Sequence, residues 1–175
     1  MLKKICGFLS GLILLVLLAV AGAMVVPYFF GYKPMAVLTG SMEPNYPVGS
    51  MIYVKEADPA TLDVGDVITY KLTGDTVVTH RIVEVHTEQQ EVITKGDANE
   101  SNDGSPVPYS KIVGEAKGKI PYLGYISLNI KTPKGILVTC GLIIVIILLT
   151  FIPDIFSDEE EEETKKPKKA NKTKK

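Results

Sequence analysis

The stretch TVVTHRIVEVHTEQQEVITK, residues 76–95, decides the fold of this chain. Valine, isoleucine and threonine dominate residues 76–85 and 91–95, and the polar residues 88–90 separate the two runs. β-Branched residues favour strands, and polar turn formers favour the breaks between strands. Residues 50–55, 66–71 and 111–117 have the same character, and no helical period competes within these runs. The sequence therefore predicts a mainly β domain built as a coiled, barrel-like antiparallel sheet.

Two long apolar segments flank this β-rich part. Residues 5–26 carry no charge, and a helix of that length, rising about 1.5 Å per residue, crosses the roughly 30 Å hydrocarbon core of a bilayer. Residues 135–152 form a second uncharged run, with Pro133 before it and Pro153 after it. The sequence predicts a transmembrane helix over each run, with residues 27–134 as the domain between them. Small residues at 21–23 also fit a cleavable signal peptide, which is the alternative for the first run.

Charge placement predicts the orientation in the membrane. The chain has 19 basic and 20 acidic residues, and its net charge of −1 gives no reason to expect a nucleic-acid partner. Lys3 and Lys4 precede the first apolar run, and seven lysines lie within residues 165–175 after the second. Because cytoplasmic flanks carry the excess of positive charge, we expect residues 1–4 and 153–175 in the cytoplasm. The chain is then a multi-pass protein of the cell membrane with its β-rich domain outside, and the charged tail, 153–175, is predicted to be disordered.

The cysteines and the missing cofactor motifs narrow the function. Cys6 and Cys140 fall inside the two predicted spans, so the exported domain contains no cysteine for a disulfide. Two histidines and two membrane cysteines form no recognisable metal-ligand set. The sequence also lacks a phosphate-binding loop and a dinucleotide fingerprint, so we expect no metal and no cofactor.

Two separate parts of the exported domain offer a nucleophile and a base. Ser41 follows a glycine, and a serine hydroxyl becomes a good nucleophile only when a neighbouring base takes its proton. His80 lies in mid-strand, where alternation places it on one face with Val78 and Ile82. A fixed, partly dry imidazole suits a base, although an ordinary strand histidine is the alternative. His86 lies at the polar end of the same run and is predicted to be a surface residue.

Candidate carboxylates lie in the long polar segment 96–108. A histidine base gains from a carboxylate that orients its ring and stabilises the imidazolium, and Asp97 and Asp103 are both available in this segment. Each also has a plain interpretation as a turn residue that bonds its own backbone. From the residues alone both choices stay open.

Three motifs in chain order resemble the successive boxes of type I signal peptidase. They are GSMEP at 40–44, HRI at 80–82, and GDAN at 96–99 followed by Asp103. The resemblance is to the Ser/His branch, typified by the endoplasmic reticulum enzyme, because the better-known bacterial branch has lysine at the position of His80. It extends over about residues 37–122, and Ala98 departs from the asparagine that is common in the family.

The resemblance implies roles for five residues and an activity. Ser41 is the expected nucleophile, His80 the general base and Asp103 the carboxylate that orients it. Asp97 is expected to support the loop, and Thr39 to share the oxyanion with the Ser41 N–H, unless Thr39 is an ordinary strand threonine. The implied enzyme is a membrane-bound serine endopeptidase that removes signal peptides from secreted preproteins, through an acyl-enzyme, at the outer membrane surface. Its expected partners are those preproteins and the lipid bilayer.

Two other function classes fit parts of the sequence. The chain has the features of an inert, membrane-tethered β-domain that binds or assembles exported proteins. A self-cleaving regulator related to the Ser/Lys peptidases is the second alternative, against which His80 and the two predicted spans count.

Overall fold

The computed structural model describes the backbone of residues 2–74 and 76–165, and the side chains of residues 5–74 and 76–151. The elements, in chain order, are α1 (Leu2–Phe29), β1 (Tyr32–Ala36), β2 (Met51–Lys55), β3 (Val67–Lys71), β4 (Val77–His86), β5 (Glu91–Lys95), β6 (Val107–Pro108), β7 (Ile112–Ile120), α2 (Leu123–Asn129) and α3 (Pro133–Lys165). Short 3₁₀ turns lie at Gly40–Met42, Pro59–Thr61 and Tyr109–Lys111. The chain divides into two compact units: Val20–Gly135, which holds the sheet, and the parts of α1 and α3 outside that range.

Seven strands form one antiparallel sheet in the order β1-β2-β7-β3-β4-β5-β6. The register shifts within three of its ladders, between Tyr53 and Val54, between Thr69 and Tyr70, and between Ile82 and Glu84. Bulges of this kind bend a strand and increase its twist, so the sheet curls into a half-barrel. The predicted fold class is confirmed: an antiparallel, mainly β sheet accompanied by two long apolar helices.

Five of the seven strands match the predicted runs, with small differences at their ends. The sequence missed β1 and β6, which are the two edges of the sheet, and each contains a proline, Pro34 or Pro108. Proline cannot donate to a ladder, so its presence argued against a strand, yet an edge strand tolerates it. The short helix α2 was also not predicted.

The main core lies on one face of β3, β4 and β5. It consists of Leu62, Ile68, Tyr70, Ile82, Val92 and Val107. His80 lies on the same face of β4 as Ile82, as strand alternation predicts, and Val78 packs against this cluster. A smaller cluster contains Met42, which follows Ser41, together with Val67 and Ala116. The main core therefore lies on the face of β4 that carries His80, and the smaller cluster contains the residue next to Ser41.

The two helices fit the predicted spans in length and composition. Residues Ile5–Phe29 of α1 and Pro133–Phe151 of α3 are long and apolar enough to cross a membrane, and neither window is buried within the protein. The backbone of α3 remains helical to Lys165, so the helix enters the segment 153–175 for which the sequence predicts a disordered tail. Residues 166–175 lie outside the described part of the chain.

Candidate active site

Ser41 occupies the 3₁₀ turn that follows β1, and the loop after β5 holds this turn in place. The Ala98 N–H donates to the carbonyl oxygen of Ser41 at 2.9 Å, and the Asp97 N–H donates to Met42 Sδ at 3.4 Å. A Cβ atom at Gly96 would lie only 2.6 Å from the Ser41 carbonyl oxygen. Glycine is therefore required for the close approach of the two segments.

His80 lies between Ser41 and Asp103. Its Nε2 atom is 3.1 Å from Ser41 Oγ, and its Nδ1 atom is 2.6 Å from Asp103 Oδ2. The histidine is 8% exposed because it is part of the β4 face that packs on the core. A hydroxyl, an imidazole and a carboxylate from three distant parts of the chain thus form one continuous hydrogen-bonded chain, in which a proton can pass from oxygen to nitrogen.

The Asp103 carboxylate has two further partners that the sequence did not identify. Thr94 Oγ1 donates to Asp103 Oδ2 at 2.6 Å, and the Tyr70 hydroxyl donates to the same oxygen at 3.1 Å. Burial by itself raises the pKa of Asp103, but the hydrogen bonds from Thr94, His80 and Tyr70 and the electrostatic interaction with His80 outweigh this effect. The pKa of Asp103 therefore lies below its usual value, so the group is an anion at neutral pH. One sequence signal could have identified Thr94. It lies two residues after Val92, so alternation puts its side chain on the same, core-facing side of β5.

Asp97 lies apart from this chain and braces the loop that holds Ser41. The Arg81 guanidinium donates from Nε to Asp97 Oδ1 at 2.8 Å and from its terminal nitrogen to Oδ2 at 2.7 Å. The Asn45 side chain donates to Oδ2 at 2.8 Å. The hydrogen bond from Arg81 is the largest cause of a pKa of Asp97 below its usual value. Of the two carboxylates that the sequence left open, the one in contact with His80 is Asp103.

Thr39 and His86 complete the set of residues singled out from the sequence. Thr39 Oγ1 lies 3.4 Å from Ser41 Oγ, on extended backbone just beyond the end of β1. His86 is more than a third exposed at the end of β4 and faces Glu84 and Glu91 at 3.4 and 3.5 Å. It has no contact with the Ser41 chain among the interactions of the described residues.

Two clefts border the hydrogen-bonded chain. One, of about 300 Å³, begins at Ser41 and is walled mainly by apolar side chains, among them Met35, Val37, Ile52 and Val78. The other, of about 350 Å³, opens against His80 and Asp103, and Lys71 and Lys111 are among its lining residues. No group of three or more His, Cys, Asp and Glu side chains suited to a metal ion occurs among the described residues.

Comparison with known proteins adds independent information. Residues 9–95 match the family model described as signal peptidase, peptidase S26. This range includes Ser41 and His80, whereas Asp103 lies beyond it.

Individual relatives of the chain are also named as signal peptidases. The chain is 42% identical over 95 residues to Signal peptidase I W of Bacillus subtilis, an alignment covering 53% of this chain and 50% of that protein. It is 33% identical over 125 residues to the signal peptidase complex catalytic subunit SEC11 of Candida dubliniensis, covering 62% of this chain and 74% of that subunit. The subunit of the same name from Saccharomyces cerevisiae is 35% identical over 112 residues, with coverage of 57% and 66%. The predicted family is thereby confirmed: the chain belongs to the signal peptidase family, peptidase S26, and with it to the serine peptidases of the type I signal peptidase kind.

Proposed function

We propose that this protein is a membrane-bound serine endopeptidase that removes signal peptides from secreted preproteins. The observation that carries the proposal is the hydrogen-bonded chain from Ser41 through His80 to Asp103. An ordinary strand histidine has no reason to lie between a serine hydroxyl and a partly buried carboxylate. The names of the relatives support the substrate class, because each refers to a signal peptidase.

The reaction proceeds through an acyl-enzyme. Ser41 Oγ attacks the carbonyl carbon of the scissile bond while His80 Nε2 accepts its proton. The tetrahedral intermediate collapses when His80 returns that proton to the leaving amine, which departs as the new N-terminus of the mature protein. His80 then takes a proton from water, whose oxygen attacks the ester carbonyl carbon. The bond from that carbon to Ser41 Oγ breaks as His80 returns the proton to Ser41, and the signal peptide leaves with a new C-terminal carboxyl group. Asp103 stays ionised throughout and stabilises the imidazolium.

Stabilisation of the tetrahedral oxyanion falls to two donors beside the nucleophile. These are the backbone N–H of Ser41 and the hydroxyl of Thr39, which lies 3.4 Å from Ser41 Oγ. Donors that point to the developing negative charge before reaction lower the barrier because they need no reorganisation.

The apolar cleft beside Ser41 binds the segment before the scissile bond. The cleft has a volume of about 300 Å³ and is lined by the end of β1, the segment that follows it, Ile52 on β2 and the start of β4. An apolar cleft beside the nucleophile admits small apolar side chains, which supports the preference for small residues at −1 and −3 that the family resemblance implies. The substrate is thus recognised by the size of its side chains rather than by charge.

The two apolar helices hold the peptidase domain at the membrane surface. β1 begins three residues after α1 ends, and the Tyr53 hydroxyl on β2 donates to the Ala23 carbonyl oxygen of α1 at 2.9 Å. The sheet is therefore attached to the last turns of the first span, and Ser41 follows β1 closely. The lysines that precede the first span and those that follow the second support a topology with both termini in the cytoplasm and the domain outside. A signal peptide anchored in the same bilayer then meets the enzyme within a thin layer, which raises its effective concentration.

Substitution of the nucleophile and the base tests the proposal. We expect Ser41→Ala and His80→Ala, each purified as the full chain in detergent, to lose processing of a preprotein by about 10⁴-fold or more. The assay is gel separation of precursor and mature protein, with N-terminal sequencing of the product. Circular dichroism shows whether each variant keeps its β structure. Processing retained by a folded Ser41→Ala variant would contradict the proposal and favour an inert tethered β-domain.

A further inference from the structure

Three hydrogen-bond donors converge on one oxygen atom, Oδ2 of Asp103. His80 Nδ1 and Thr94 Oγ1 each lie 2.6 Å from it, and the Tyr70 hydroxyl lies 3.1 Å from it. The serine peptidase mechanism requires only the first of these contacts. The other two donors, Thr94 and Tyr70, take no part in the proton transfers of the proposed reaction.

The sheet brings these donors together from three adjacent strands. β4 carries His80, and its neighbours β3 and β5 carry Tyr70 and Thr94, each in register with the part of β4 next to His80. Thr94 is fully buried and Tyr70 is 5% exposed, so neither hydroxyl exchanges its partner freely with water. Thr94 binds Asp103 a second time, because its carbonyl oxygen accepts from the Asp103 N–H at 2.8 Å. The position of the carboxylate therefore depends on Thr94 more than on any other residue of the sheet.

The two hydroxyls determine which atoms of Asp103 and His80 carry a proton. An oxygen that accepts from Thr94 and Tyr70 is held as a carboxylate, and a carboxylate has no proton to offer to His80. His80 Nδ1 must then carry the proton of a neutral imidazole, which leaves Nε2 unprotonated and facing Ser41 Oγ at 3.1 Å. A neutral Asp103 would instead donate to Nδ1 and move the ring proton to Nε2. That tautomer is unable to accept the serine proton.

We infer that Thr94 and Tyr70 are positioning residues, which keep Asp103 ionised and thereby select the tautomer of His80 that accepts the proton of Ser41. This inference rests on the proposed peptidase function. Thr94 is the stronger of the two because its contact is shorter and its hydroxyl is fully buried. Both residues act through Asp103, with which each forms a hydrogen bond through its hydroxyl group.

The charged surroundings of Asp103 allow a clean test. The titratable or charged groups that face it are His80 on β4, Tyr70 on β3, and Lys71 and Lys111 in the adjoining cleft. Thr94 has no charge, so Thr94→Val removes a hydrogen bond and leaves every charge in place. Loss of that donor favours the protonated form of Asp103. The acidic limb of the activity profile should therefore move to higher pH.

The experiment measures kcat and KM of the detergent-purified full chain against a preprotein across the pH range. We expect Thr94→Val to lower kcat about 10-fold or more, with KM within about twofold and the acidic limb at higher pH. Thr94→Ser, which keeps the hydroxyl, should return both kcat and the pH profile close to wild type. Tyr70→Phe should change them in the same direction by less. Thr69→Val is the matched control, because Thr69 is equally buried and its hydroxyl bonds Thr79 at 2.8 Å, away from Asp103.

Each outcome decides between support and rejection. Wild-type kcat and pH profile in Thr94→Val, in a preparation whose Ser41→Ala variant is inactive, would overturn the inference and leave the proposed function intact. Equal loss in Thr94→Ser and Thr94→Val would also overturn it, because the hydroxyl would then be irrelevant. If Thr94→Val fails to fold, Tyr70→Phe decides by the same two readouts. An active Ser41→Ala variant would instead refute the proposed function itself.

Discussion

Replacement of Gly96 by alanine should separate catalysis from folding. Gly96 is buried at the end of β5, and a Cβ atom there would lie 2.6 Å from the Ser41 carbonyl oxygen and 2.7 Å from Asn99 Nδ2. The backbone at Gly96 is not in the left-handed region, so alanine has no conformational penalty of its own. The effect of Gly96→Ala therefore comes from steric contact with the Ser41 carbonyl oxygen, on the turn that carries Ser41, and with the Asn99 side chain.

The distances set the expected size of the effect. Non-bonded heavy atoms approach comfortably to about 3.5 Å, so the Ser41 carbonyl must move away by about 1 Å. That movement stretches the 2.9 Å hydrogen bond from Ala98 and the 3.1 Å contact between Ser41 Oγ and His80 Nε2. Misplacement of a reacting group by about 1 Å typically costs about 10²-fold in rate. Overpacking of this kind lowers the free energy of unfolding by about 1–3 kcal/mol, which a stable domain survives.

The assay compares kcat for preprotein cleavage with the thermal unfolding midpoint of the same preparation. We expect kcat of Gly96→Ala to fall about 10²-fold while the domain still unfolds cooperatively. Gly118→Ala is the control, because no atom outside its chain neighbours lies within 4 Å of a Cβ at Gly118. If folded Gly96→Ala cleaves within about twofold of wild type, the loop does not set the position of Ser41, and the reasoning fails.

Two further substitutions test the groups around Ser41. Thr39→Val should lower kcat by about 10²-fold with KM almost unchanged, because it removes a donor that acts only in the transition state; an unchanged kcat would leave Thr39 as an ordinary threonine. Asp97→Asn should lower the free energy of unfolding at neutral pH by about 1 kcal/mol, a modest value because Arg81 is partly exposed and screened by solvent. Since the folded-state pKa of Asp97 lies below its unfolded-state value, its contribution is present above the unfolded-state pKa and is lost as pH falls through the folded-state pKa. Acidification should therefore lower the unfolding temperature of the wild type more than that of Asp97→Asn, and equal slopes would exclude a stabilising role for the Arg81 ion pair.

Local patterns in the sequence were enough to predict five strands and two long helices. Runs such as residues 91–95 combine β-branched residues with flanking turn formers, and no distant contact is needed to recognise them. The apolar runs at 5–26 and 135–152 depend on length and composition alone. Alternation within β4 likewise placed His80 on the face of Ile82. The same local logic failed at β1 and β6, where Pro34 and Pro108 are compatible with a strand only because these strands lie at the sheet edges.

The site depends on contacts between residues far apart in the chain, and no local sequence pattern contains information about these contacts. Asp97 and Asp103 looked equally suited to orient a histidine, since both follow β5 in one polar segment. Only the folding of that segment puts Asp103 against His80 and turns Asp97 towards Arg81. In the sequence Thr94 has only the features of an ordinary strand threonine. In the folded sheet its hydroxyl is buried and donates to the Asp103 carboxylate. Residue types and periodicity determined the sheet, the spans and the list of candidate groups, whereas tertiary packing decided which of those groups meet, because hydrogen bonds depend on distances that sequence separation does not encode.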